Sequence, residues 1–200
     1  YARSVTLRLD LSPAGTIVSE QDLARDAERY GDFLMQTKAL APGADTHYAK
    51  AMQTWGGRRE KAPHEVEAIT AMARLHRKQG LYQVKVRKSA ETAKIEFASA
   101  RKLHDTLLKL DPTDWVQKAE LSETLMHLCR AALTLHDFPL VMETSQYGRS
   151  LNEDAYKANP DNNNARAAVA GFKEILGDLA FLQNDLAQAL ELYTSATVLR

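Results

Sequence analysis

Six histidines, one cysteine and a scatter of carboxylates are the residues of this 200-residue chain from which bond-making chemistry could be built. His47, His64, His76, His104, His127 and His136 are dispersed, and no HExxH pair brings two imidazoles and a base onto one helix face. Cys129 is alone, so neither an internal disulfide nor a four-cysteine zinc site can form, and its thiol reads as a small packing group between helices. The first 60 residues supply Asp22, Asp26, Glu28, Asp32, Asp45, His47 and Tyr48 without a recognisable catalytic constellation. An enzyme with its site there is the least favoured alternative, and it would need His47 to meet a carboxylate in a closed pocket. Glycine-rich phosphate loops and GxSxG elbows are absent, and Asp161 to Asn164 lack the ordered spacing of a calcium loop and read as a helix cap. The expectation is a non-enzymatic protein with no catalytic, cofactor-binding or metal-ligating residue.

Charge gives a second kind of site. The whole chain is formally neutral, with 26 basic and 26 acidic residues, so no global pull towards nucleic acid or anionic lipid follows. Between Arg58 and Lys102, however, stand twelve Lys or Arg against five Glu. Arg74, Arg77 and Lys78 cluster at helical spacing, with Lys85, Arg87 and Lys88 close behind. Such a patch suits an acidic peptide, and in the alternative reading it makes the 58–102 region a nucleic-acid-binding helical array. Sparse aromatic interleaving argues against single-strand stacking. The competing reading is a solvated helix face, with Glu91 partly offsetting Arg87 and Lys88.

The elements that must position these residues are helices. Composition, 44% apolar and 26% charged, fits a folded domain. Residues 4–11, SVTLRLDL, alternate apolar and polar and predict a short extended arm or strand, closed by Ser12-Pro13-Ala14-Gly15. Ser19 is placed to cap a first helix that stops at Ala41-Pro42-Gly43; a shorter one ends at Gly56-Gly57; a third runs from Pro63 to Gly80. The stretch 82–110 contains no Pro or Gly and is consistent with one extended helix. Further helices are predicted at 114–136, 139–157, 163–183 and 186–199. The division is 1–18 arm, 19–60 helical cap, 61–200 repeat array. No apolar run approaches the ~20 residues needed to cross a bilayer, and the single cysteine suits a cytoplasmic, reducing compartment. The start at Tyr1 and the finish at Arg200 within a helical pattern suggest a piece of a longer protein.

The second half repeats itself with a period of 48: Lys109 and Lys157, Pro112 and Pro160, Leu128 and Leu176, Asp137 and Asp185 correspond. Each unit is a helix, a turn and a second helix, too small to bury its own apolar stripe, so units stack. Cys129 stands where Gly177 stands. Trp115, in the first turn after a cap at Thr113 or Asp114, is expected to seal the junction between successive units, and Trp55 to cover an end of the array.

The last unit, Phe172 to Leu199, resembles the tetratricopeptide repeat: Gly177, Ala189 and Ala196 fall at its small positions, Leu176, Leu186 and Tyr193 at its large ones. Leu125, Leu128, Cys129, Ala132, Phe138, Val141 and Gly148 give a looser match, and Ile69, Met72, Ala73, His76, Gly80 and Tyr82 a third that departs at Lys85; residues 1–60 carry no such motif. KLDPTDWVQKAELS, 109–122, resembles the inter-repeat segments of longer tetratricopeptide-like repeats in bacterial multidomain signalling proteins. The resemblance implies an all-α fold of antiparallel hairpins stacked as a solenoid, and a scaffold that binds a protein or peptide, an intramolecular domain included. It places the partner-binding face on the first helix of each pair: Arg74, Arg77 and Lys78; Glu123, Met126 and Arg130; Glu174, Asp178 and Phe181, with Met126, Leu133, Phe181 and Leu182 as exposed apolar contacts. Dimerisation through the N-terminal arm or the terminal helix is a further expectation.

Overall fold

The computed structural model describes residues 19–37, 39–159 and 161–200. Among them the protein is an all-α array in which helices pack on their neighbours in sequence, and no strand is present. The predicted arm at 4–11, and any pairing of its edge, lie outside the described residues. No described helix is long and apolar enough to cross a membrane. The chain forms two compact units that divide after Lys88, so the helix beginning at Val66 belongs with residues 19–60.

In the first unit, α1 spans Glu20–Met35, a 3-10 turn spans Ala41–Gly43, α2 spans Ala44–Lys61 and α3 spans Val66–Tyr82. Ser19 caps α1 as its type predicts, its hydroxyl accepting from the Asp22 amide at 3.2 Å. α2 does not stop at Gly56-Gly57. Both glycines sit inside it with open space where a Cβ would be, and the helix-forming run Arg58–Lys61 carries it onward. Trp55 is not an end cover but part of the core, buried with Tyr48, Leu75, Tyr82 and six alanines of α1 to α3. The stretch 82–110 is not one helix either. α3 passes into a π-turn over Gln83–Arg87, Lys88 takes a left-handed conformation (φ 57°), and Ser89 caps a new helix by accepting from the Thr92 amide at 3.3 Å. No glycine or proline marks that break, which is why composition hides it.

The second unit holds α4 (Ala90–Leu110), α5 (Trp115–Thr134), α6 (Phe138–Ala158), α7 (Asn163–Leu182) and α8 (Leu186–Leu199). The 48-residue echo is realised in the backbone. α5 and α7 start and end 48 residues apart; Asp114 and Asn162 cap them, Asp137 and Asp185 cap α6 and α8, and His136 and Asn184 take matching positive φ of 54° and 64°. Three of the even-numbered helices share one pattern of small, large, small, Ala44-Tyr48-Ala51, Ala93-Phe97-Ala100 and Ala189-Tyr193-Ala196, and α6 carries Val141-Ser145-Gly148 at the same spacing. These residues are buried, apart from the partly covered Tyr193. The ring of Tyr48 lies on Gly31 and donates from its hydroxyl to Asp32 at 2.9 Å; Tyr193 lies on Gly177 and donates to Asp178 at 2.7 Å. The same Gly-Asp and Tyr device therefore locks the first hairpin and the last.

α1 and α3 run side by side in the same direction, bridged by charge. Arg25 pairs with Glu67. Glu28, 4% exposed, accepts from Arg74 at 2.5 and 2.7 Å and from Lys78 at 2.6 Å, and Lys78 also donates to Asp32 at 2.6 Å. Burial alone would raise the Glu28 carboxyl, but the hydrogen bonds and charges of Arg74 and Lys78 outweigh it and hold it below its ordinary value.

Two predictions follow from these contacts. A Cβ on Gly148 would enter the Phe172 ring, whereas Gly56 and Gly57 have nothing within 4 Å. Gly148→Ala is expected to lower the unfolding free energy by about 2 kcal/mol, and Gly56→Ala and Gly57→Ala to raise it by about 0.5–1 kcal/mol each, read by urea unfolding. A depressed folded-state pKa contributes stability that is present above the unfolded value, 4.5 for Glu28, and lost as pH falls below it. Thermal melts from neutral pH down to pH ~3 are expected to show that loss. Glu28→Gln is expected to cost about 3 kcal/mol at neutral pH and to flatten the acid limb. Identical acid limbs for both proteins would remove Glu28 as its cause.

Candidate functional site

The N-terminal half of α5, the C-terminal half of α6 and the start of α7 enclose a groove of about 390 Å³. Its walls are Trp115, Lys118, Ala119, Glu123 and Met126 on α5 and Asn164, Ala167 and Ala168 on α7; Leu151, Asn152 and Ala155 of α6 form the floor. α5 and α7 meet at the far end, where a Cβ on Gly171 would lie 2.9 Å from Met126 Sδ. They part towards Trp115 and Asn164, which leaves the α6 face open between them. Small side chains on α7 make that opening shallow and apolar, and Lys118 and Glu123 place one charge of each sign on the α5 wall.

Trp115 does not seal a junction. It is 73% exposed. The inward stripe at the start of α5 is Gln117, Leu121, Thr124, Leu125 and Leu128, and Trp115 precedes that stripe by two residues, about 200° around the helix. Asp114 Oδ1 fixes this first turn by accepting from the amides of Val116 and Gln117 at 2.9 and 3.1 Å. Gln117 in turn turns inward to buried His104, with Oε1 and Nδ1 3.1 Å apart. The indole is therefore presented at the groove mouth by a turn whose own hydrogen bonds are satisfied without it.

Asn152 is the polar centre of the floor. It is 9% exposed, and Nδ2 donates to Ser122 Oγ and to the Gly148 carbonyl, both at 2.8 Å. A carbonyl can only accept, so the amide orientation is fixed and Oδ1 is the atom Asn152 offers to the groove.

Of the residues placed on the binding face by sequence, Glu123 and Met126 lie in this groove. Arg130 is exposed further along α5, and Leu133 is half-buried against the core. Glu174 and Asp178 face α8, where Arg200 donates to Glu174 at 2.6 Å and Tyr193 holds Asp178. Burial and the Asp178 hydrogen bond push the Tyr193 hydroxyl up to about 12. Phe181 is 59% exposed beside exposed Leu182, Leu186 and Leu190, at the α7–α8 turn rather than in the groove. Arg74 and Lys78 are engaged with Glu28, and Arg77, one residue before Lys78, is half-buried. Trp115 in its exposed role, Ser122 and Asn152 were not legible as site residues. Asn152 carries no distinguishing sequence signal, because the buried face of α6 also holds Thr144 and Ser145.

The titratable candidates are dispersed into packing. Burial raises the Cys129 thiol to about 11, beside Ser145 Oγ at 3.3 Å, so it is protonated at neutral pH. His47 packs edge-on against Tyr30 with ring centres 4.5 Å apart, and burial followed by Lys50 lowers its pKa. His127 stacks on Phe97 at 5.3 Å. Among the described residues no group of three or more His, Cys, Asp or Glu is placed to hold a metal ion. No protein-family model and no curated protein sequence matches the chain.

Proposed function

We propose that this chain is a non-enzymatic scaffold that binds a peptide or a peptide-like segment of a protein in the α5–α6–α7 groove. The observation that carries the reading is Trp115, a large amphipathic ring left 73% exposed at the mouth of a concave surface lined by several alanines. A buried anchor in a small-residue pocket with a polar rim is how such surfaces gain affinity. The hairpins, their 48-residue repeat and the small-large-small pattern support a tetratricopeptide-like array. The resemblance of 109–122 supports a place in a larger, cytoplasmic, bacterial signalling protein, with a free or intramolecular partner.

A peptide ligand accounts for the site better than nucleic acid does. Many cations between 58 and 102 are paired within their own unit: Arg58 with Glu65, Arg74 and Lys78 with Glu28, Lys94 with Asp137, Arg101 with Glu143. Pairing removes much of the field that a phosphate backbone would meet. The groove itself carries mixed charge, which suits a polar rim rather than a phosphate track.

Selection of a linear dodecapeptide library on the immobilised chain tests the proposal. Trp115→Ala is expected to weaken the enriched peptides about thirtyfold, the loss of a central aromatic anchor, while leaving the melting temperature unchanged because the ring is exposed. Peptides that bind the variant equally well would remove the groove as the docking site.

A further inference from the structure

The outer face of α8 carries an uncharged stripe that the array itself does not use. Ala187, Leu190, Thr194 and Val198 follow one another at spacings of three and four residues, so they share one side of the helix, and all four are exposed. Leu190 is 68% exposed and Val198 81%. Buried Ala189 and Ala196 face the other way, towards α7. The stripe lies apart from the α5–α6–α7 groove, so the two surfaces are tested separately.

The internal repeat shows that stacking does not cover this stripe. The residues 48 positions earlier on α6 are Pro139, Met142, Gln146 and Ser150, and they stay exposed with α7 and α8 in place. The same step of 48 links the positive-φ residues Lys88, His136 and Asn184, which brings α4 into register as well. There the corresponding residues are Glu91, Lys94, Ala98 and Lys102. Charged or polar side chains thus stand at this place on α4 and mostly on α6, and α8 carries none with a charge.

We propose that the stripe is covered by α8 of a second copy of this chain, packed antiparallel about a two-fold axis. A two-fold contact is closed and uses the same patch on both copies, so the patch must be complementary to itself. This one is. With the axis between Leu190 and Thr194, Leu190 lies opposite Thr194 of the second copy, and Ala187 lies opposite Val198. Each larger side chain meets a smaller one, which is the condition for close helix packing. Glu191 stands about 100° around the helix from Leu190 and stays in the solvated rim. The neighbouring Thr197 hydroxyl already donates to the Tyr193 carbonyl at 2.8 Å, so that turn is covered without stranding a polar group. Leu186 and the exposed Phe181 and Leu182 extend the patch at the foot of α8, where the C-terminal turn of the second copy arrives. Together these side chains offer roughly 600 Å² per copy, or about 1,200 Å² for the pair, the lower end of specific interfaces. Such an area suits a reversible dimer of micromolar affinity rather than a permanent one.

Sedimentation equilibrium of the full chain from about 1 to 300 μM tests the proposal. The weight-average mass is expected to rise from 22.3 kDa towards twice that value. Leu190→Lys is expected to weaken association at least tenfold and to leave the melting temperature unchanged, because the side chain is exposed. Trp115→Ala, in the groove, is expected to associate as the wild type does. Disulfide trapping reads the geometry without disturbing the stripe's centre. A mixture of Ala187→Cys and Val198→Cys chains is expected to crosslink under mild oxidation. Either variant alone is expected to stay uncrosslinked, its two new cysteines being about 16 Å apart along the paired helices. Cys129 is buried and does not compete. A wild-type chain that remains monomeric throughout, a Leu190→Lys chain that associates as tightly as the wild type, or crosslinking of either variant alone would overturn the proposal.

Discussion

Close approach of one helix to the next, through a residue with little or no side chain, is the constraint on which this structure depends. Gly31 under Tyr48, Gly148 under Phe172 and Gly177 under Tyr193 each leave less than a van der Waals distance for a Cβ. An aromatic ring fills the space, and where that ring is tyrosine its hydroxyl finds an aspartate beside the glycine. Packing at interior density requires this pairing of small with large, since neither a bulkier residue nor an empty gap is tolerated. Where Cys129 replaces glycine, Ser145 replaces the tyrosine, and thiol and hydroxyl meet at 3.3 Å.

That rule explains what could be read from the sequence. The last hairpin was legible because Gly177, Ala189, Tyr193 and Ala196 stand at repeat spacing, and the 48-residue echo carried its caps and turns back onto α5 and α6. The first hairpin obeys the same rule through Gly31, Ala44, Tyr48 and Ala51, yet it was missed, because the spacing from Gly31 to Tyr48 is one residue longer than that from Gly177 to Tyr193 and shifts the register. The break at Lys88 was missed for a different reason. A π-turn closed by a left-handed lysine uses ordinary helix formers, so neither composition nor periodicity announces it.

The candidate site was half legible. Repeat position alone placed Glu123 and Met126 on the face that forms the groove. It could not distinguish them from Glu174 and Asp178, which occupy comparable positions but are held by α8, nor from Arg74 and Lys78, whose partners lie more than forty residues away on α1. Partnering across helices is decided by long-range packing, which one-dimensional spacing does not encode. Trp115 was misread because a large ring next to a helix cap is usually buried, and here the inward stripe begins two residues later.

The two pairs of parallel neighbours show why a ligand would choose one and not the other. Between α1 and α3, salt bridges run the length of the seam, from Arg25–Glu67 to Lys78–Asp32, and the charges that could have attracted a partner neutralise one another there. Between α5 and α7 the seam is closed by apolar packing, with Met126 against Gly171 at its edge, and the opening beyond is lined by alanines. A seam bridged by charge has its hydrogen bonds satisfied and gains little by admitting a guest. A seam lined by small apolar residues, with one committed amide beneath and one uncommitted indole above, has apolar area and an acceptor that only a guest can cover. The choice of side chain at a few first-helix positions thus closes one helix pair by charge and leaves the other open to the proposed ligand.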